Sequence, residues 1–196
     1  MKKILCLALA LLMCASLMIA CGDEPAPEVD DLKAFTDALA ASAPKTAKVN
    51  TTLESALGAL NAEYSVTYGE GGAAELVFTR EQFNEITADT TEFKSTVTGS
   101  ASIDAAGNLT GDLGEGAVSA ATVLKLALAK DKMTYTVDGG ILTATVSAEN
   151  VQSVLGVDTG AETTVKLTVA NGVVSSLTVS YTTAEGPATV VAVYTY

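Results

Sequence analysis

The stretch VKLTVANGVVSSLTVSY, residues 165–181, decides how the chain is read. Val165, Leu167 and Val169 alternate with Lys166 and Thr168, and Leu177, Val179 and Tyr181 keep the same period beyond Asn171-Gly172. A period of two marks strands with one buried face and one wet face. Asn-Gly offers two consecutive residues that accept positive φ, which a tight hairpin turn requires. The segment therefore reads as an antiparallel hairpin.

Outward from it, the same texture of Val, Thr, Ser and Gly recurs. Glu185-Gly186-Pro187 turns the chain into a strand over Val190–Tyr196. On the other side, Ser147 caps a short helix with Val151, Val154 and Leu155 on one face and Gly156 at its end. Before that helix, Met133–Val137 and Ile141–Val146 flank the turn Asp138-Gly139-Gly140. Residues 119–129 read two ways. Leu124, Leu126 and Leu128 alternate as in a strand, while Ala, Leu and Lys are good helix formers. Strand is preferred, because Lys130-Asp131 leads directly into the next one.

Nearer the N-terminus, Phe93–Asp104 is a long strand with Gly99 as a bulge or bend. Residues 79–88 form a short helix burying Phe83 and Ile86, or a loop. Leu76-Val77-Phe78 is a short strand, and Tyr64, Val66 and Tyr68 alternate before the turn Gly69–Gly72. Before residue 63 the spacing becomes helical. Asp30 or Asp31 caps a helix through Leu32, Phe35, Ala38 and Leu39, ended by Pro44. A second helix is predicted over 52–61, where Thr51 and Glu54 form a capping box and Leu53, Ala56, Leu57 and Leu60 line one face. The expected class is α+β: N-terminal helices packed on a curved antiparallel β-sheet meander, with one short helix before the last three strands. This order of elements is similar to lipoproteins of the LolA/LppX type. That resemblance implies a curved sheet wrapped on a helix around an apolar cavity; it assigns no site residue.

The first twenty residues differ from the rest. Lys2 and Lys3 precede an uncharged run from Ile4 to Ala20 that is rich in leucine. That is the pattern of a secretory signal. A membrane-spanning anchor is the competing reading, at the short limit of length. Met18-Ile19-Ala20-Cys21 resembles the lipobox of bacterial lipoprotein precursors, with Met18 and Ile19 departing from its usual Leu and small residue. The resemblance implies cleavage between Ala20 and Cys21 and a diacylglyceryl thioether on Cys21. Cys14 competes, but Met13 is a poor residue before a cut. Acyl chains on Cys21 would hold the protein on the extracytoplasmic side of a membrane. The chain then divides into a signal peptide (1–20), an acidic, prolyl tether (21–29) and one domain (30–196).

Composition excludes much. The 196-residue chain less its first 20 leaves 176, which suits one domain. Those residues hold nine basic side chains against 23 acidic ones, a net charge of −14. Nucleic acid is a poor partner for such a surface. No His occurs, and Cys6, Cys14 and Cys21 are the only cysteines, so Ser-His-Asp, Cys-His and common zinc sites have no residues to form them. Ser42-Ala43-Pro44-Lys45 fits S-x-x-K formally but sits at a helix end broken by proline. Asp104, Asn108, Thr110, Asp112 and Glu115 could offer oxygens to calcium, yet their spacing departs from the EF-hand loop and reads as a turn and glycine-rich loop. Glu75, Glu81, Glu85 and Glu92 read as a solvated edge.

The expectation is a non-enzymatic protein with no catalytic residues, no metal and no cofactor. Its candidate cavity or rim residues are Tyr64, Tyr68, Tyr135 and Tyr181, tyrosines at strand positions that line a pocket or close a core. It would carry an apolar or amphiphilic ligand such as a lipid. The alternative is a structural or adhesive surface module with a filled core.

Overall fold

Ten strands pair into one antiparallel sheet: β1 (Thr46–Ser55), β2 (Gly58–Tyr68), β3 (Ala74–Phe83), β4 (Lys94–Ile103), β5 (Leu109–Thr110), β6 (Met133–Asp138), β7 (Ile141–Val146), β8 (Thr163–Ala170), β9 (Val173–Thr182) and β10 (Pro187–Thr195). Among the described residues two helices accompany them, α1 (Lys33–Ala41) and α2 (Ala148–Leu155). The computed structural model describes residues 30–85, 92–106, 108–111, 126–156 and 158–196.

The strand order is β5-β4-β3-β2-β1-β10-β9-β8-β7-β6. Each half is a five-stranded meander of sequential neighbours. The first and last strands join the halves, from Thr46↔Thr195 to Leu53↔Ala188. The opening hairpin forms as its alternation dictates. Asn171 (φ 54) and Gly172 (φ 78) take the two positive-φ positions of the turn, and a register shift at Thr168/Val169 accommodates it.

One face of the sheet is apolar across its width. Gly99, Phe78, Tyr64, Val49, Ala192, Leu177, Leu167, Leu142 and Val137 stand opposite one another, one per strand from β4 to β6. Most are buried, as are their neighbours two residues along each strand. Helix α1 packs against β8 and β9, and α2 against β7, so both helices lie on the second half of the sheet. Phe35 and Ala38 of α1, and Val151, Val154 and Leu155 of α2, supply the apolar stripes. The residue at the N-cap of α1 is Leu32, without a side-chain cap, and not Asp30 or Asp31. Ser147 does stand at the N-cap of α2, but its hydroxyl accepts from the Asn150 amide instead of a backbone N–H. Gly156 ends that helix in the left-handed conformation.

The expected α+β class with two leading helices is overturned. Residues 52–61 are not a helix but the β1–β2 hairpin. Leu53 and Leu60 are direct cross-strand partners around Ala56-Leu57. A spacing of seven is two helical turns, and it is equally the distance between partners about a short turn. Gly58 at φ +117 is incompatible with a helix, and Leu57, placed on a helical face by sequence, is 61% exposed at the hairpin tip. Ser55 closes the tip by donating to the Gly58 carbonyl and accepting from Leu57 N–H.

Residues 79–83 continue β3, so neither the short helix nor the loop begins at Thr79; residues 86–88 lie outside the described residues. Residues 126–129 are neither strand nor helix, and Ala127 N–H donates to the Val154 carbonyl of α2. Residues 119–125 lie outside the described set, as do the signal peptide, the Ala20/Cys21 cut and the tether.

Gly99 is not a bulge, since β3 and β4 pair through it in unbroken register. It is a close-approach site. A Cβ there would stand 2.5 Å from Cζ of Phe78, whose ring lies 5.8 Å from that of Tyr64. Gly99→Ala should therefore destabilise the fold by about 1–3 kcal/mol. Combined with Phe78→Leu it should cost less than the two single changes added together. Urea unfolding of the four proteins in this double-mutant cycle checks the coupling.

Candidate functional site

At one end of the sheet the apolar face is uncovered among the described residues. This end gathers the close of β1, β3 and β9 with the start of β2 and β10. Two adjoining clefts lie there and share Thr51 and Leu53. The larger, about 310 Å³, runs toward β3 between Leu60, Ala62, Tyr64, Arg80 and Phe83. The smaller, about 170 Å³, straddles the β1–β10 junction and reaches Tyr181, Ala188 and Val190. Alternation puts Thr51, Leu53, Leu60, Tyr64, Arg80, Tyr181 and Val190 on the buried face. Thr52, Asn61, Glu81, Gln82, Thr183, Glu185 and Thr189 complete the lining, so the two clefts form one trough of mixed apolar and polar character.

Thr51, Tyr64 and Arg80 sit close together. Tyr64 is 3% exposed, and burial raises its phenol pKa; the Arg80 charge and a hydrogen bond with the Thr51 side chain pull the other way. Burial also raises the Tyr181 pKa. The Arg80 guanidinium carbon stands 5.9 Å from the centroid of the Phe78 ring, within cation–π range. Glu81 alternates to the opposite face of β3, where it still borders the larger cleft. There its carboxylate accepts from the backbone and side-chain N–H groups of Asn61, which hold its pKa below the usual value, and it lies 3.9 Å from Lys94.

Of the tyrosines expected from sequence, Tyr64 lines the larger cleft and Tyr181 the smaller one beside it. Tyr68 borders neither. It lines a more open notch of about 440 Å³ at the other end of β2, beside Ala74, Ile103 and Asp104. Tyr135 stands on β6, half-buried at the far side of the sheet. Sequence reasoning missed Arg80, because the strand was stopped at Phe78. Continuing the Leu76, Phe78 alternation by one step would have placed it, and it is the only arginine of the chain.

Other candidates are occupied by structural work. The Ser42 hydroxyl donates to the Ala38 carbonyl and accepts from Val174 N–H, so it is held by the α1 terminus. Asp104 accepts from Ala106 N–H, Asn108 N–H and the Asn108 amide, closing its own turn; Gly107 and residues 112–115 lie outside the described residues. Glu75, Glu85 and Glu92 are exposed. Among the described residues no group of three His, Cys, Asp or Glu side chains could hold a metal ion, and no helix is long and apolar enough to cross a membrane.

No protein-family model matches the chain, and no curated protein matches it in sequence. Among solved structures a porin-like protein from Bacteroides uniformis is similar at 11% identity, over 79% of this chain and 98% of that one, with a TM-score of 0.28. A likeness at that level carries no argument about fold or function.

The notch tyrosine has a measurable property. Burial, with Tyr196 nearby, pushes the Tyr68 pKa up to about 12 from 10.0. The folded state thus keeps this proton longer than the unfolded one. Its contribution to stability is whole below pH 10 and is lost as pH rises toward 12. Ultraviolet titration of the folded protein should show a late phenolate phase near pH 12 that Tyr68→Phe removes, and unfolding midpoints should fall as the pH rises above 10.

Proposed function

We propose that this protein is a lipid-anchored extracytoplasmic lipoprotein that carries an apolar or amphiphilic ligand without catalysing a reaction. One observation supports the carrier reading above the rest: among the described residues the sheet face is open at one end, in a trough whose lining includes Thr51, Leu53, Tyr64, Tyr181 and Val190. Ligand sites are concave, mainly apolar and provided with a few placed polar groups. Thr51, Tyr64, Arg80 and Tyr181 are such groups. The non-enzymatic reading rests on composition, since the chain has no His and its three cysteines all fall within residues 6–21.

The anchor rests on Met18-Ile19-Ala20-Cys21. Two acyl chains on one cysteine hold a protein stably on a bilayer, at about 0.8 kcal/mol per buried CH₂. Expressed in a bacterium that processes lipoproteins, the chain should fractionate with membranes and partition into detergent. Cys21→Ser should release it to the soluble fraction, or leave it as an uncleaved precursor of higher mass.

A second reading, a structural or adhesive surface module, draws on a different observation. Between the helices and β7–β9 the core is filled by Leu142, Leu167, Val174 and Val151, each essentially inaccessible. Native mass spectrometry of residues 22–196 separates the two. A bound mass that disappears on denaturation supports the carrier. A clean apoprotein mass, repeated after incubation with membrane lipids, overturns it and leaves the module.

A further inference from the structure

Arg80 is the only charged residue on the apolar face among the described strand positions. The positions on that face run Ala47, Val49, Thr51 and Leu53 on β1, Ala74, Leu76, Phe78 and Arg80 on β3, and Ala188, Val190, Ala192 and Tyr194 on β10, with equally uncharged rows on the other strands. Its directly paired neighbours are Ala62 and Val97. Glu75 and Glu81 on its own strand and Glu63 on β2 alternate to the outward face, although Glu81 borders the same cleft and Glu185 the adjoining one.

Holding a guanidinium half-buried against aliphatic and aromatic carbon costs stability that a leucine would not. The chain has one arginine and spends it here, while its lysines sit elsewhere. A residue that breaks the apolar pattern of its strand face marks a candidate functional position. Arginine is also the side chain whose planar fork matches a carboxylate with two parallel hydrogen bonds.

We propose that the trough binds a carboxylate-headed amphiphile, its head on the Arg80 guanidinium and its tail along Leu53 and Val190 toward Tyr181. This rests on the carrier reading above. The guanidinium has other interactions within the protein, and its five N–H donors let it keep them and still receive a carboxylate. Tyr64 and Thr51, which line the same cleft, offer hydroxyls beside that head. One positive charge on an otherwise acidic protein neutralises a single negative charge, which favours a monocarboxylate over a phosphate dianion.

The test is calorimetric titration of residues 22–196 with decanoate and with decanol, which share a tail and differ in the head. The compact unit from Asp31 onward carries its own core, so this chain keeps the whole site. Decanoate should bind at least about tenfold tighter than decanol, the worth of a charge-assisted hydrogen bond. Arg80→Gln should bring decanoate down to the level of decanol while leaving decanol within about twofold, a change in head recognition alone. Arg80→Lys, which keeps the charge, should retain a preference for decanoate and serves if the glutamine variant does not fold. Equal binding of the two probes by the unaltered protein overturns head recognition and leaves a carrier of apolar ligands. A preference undiminished in Arg80→Gln also overturns it, because the head then sits elsewhere. Binding of neither probe overturns the carrier reading and this inference together.

Discussion

The pairing of β1 with β10 holds the molecule's two halves in one sheet. Its eight residue pairs, Thr46↔Thr195 to Leu53↔Ala188, join segments from opposite ends of the domain. Each meander can form from local hairpins, but neither covers the other's apolar edge until these strands meet. Closing so long a loop costs entropy that grows only slowly with length, yet such non-local pairing slows folding. Val49 illustrates the dependence. It faces Tyr64 on one side and Ala192 on the other and is fully buried by that position. The trough depends on the same junction, since Thr51 and Leu53 come from β1 and Ala188 and Val190 from β10.

Why one hairpin was legible and another was not follows from their turns. Asn171-Gly172 announces itself, because few other dipeptides accept positive φ at both positions. The β1–β2 turn carries no such mark. Ala56 and Leu57 occupy its tip, and the glycine follows them. Around that tip Thr51, Glu54, Leu53 and Leu60 satisfy the spacing of a capped amphipathic helix. Local propensity alone left the choice open. The decision is tertiary: in the sheet β1 gains a partner on each side, and an isolated helix of ten residues would gain neither. The helix α2 was legible because nothing competed there; Ser147, the Val151/Val154/Leu155 stripe and Gly156 agree with one another.

The site was legible in part, for related reasons. Alternation put Tyr64 and Tyr181 each on the apolar side of its own strand, but sequence cannot say that β2 and β9, far apart in the chain, lie in one sheet with only β1 and β10 between them. It gave no sign that Tyr68 and Tyr135 would be carried away from them. Arg80 was hidden by its residue type. Arginine on an apolar strand face contradicts the binary pattern, and residues 79–88 also fit a short helix burying Phe83 and Ile86, so alternation alone does not carry β3 past Phe78.

The two ends of the sheet use their polar side chains differently, and that contrast bears on which end is free for a ligand. At one end, Tyr196 donates its phenol O–H to the Val174 carbonyl and lies 3.0 Å from the Ser42 hydroxyl, which itself accepts from Val174 N–H. This network ties the last residue to the close of α1 and to the start of β9. Beside it Tyr194 is buried, its hydroxyl without a hydrogen-bond partner among the described residues. Such a group costs about 1–3 kcal/mol when left unpaired, so this end gives up stability to seat its ring. At the other end the polar side chains line the two clefts. The polar groups of the first end are thus spent on tying down the chain, and those of the second border open space among the described residues.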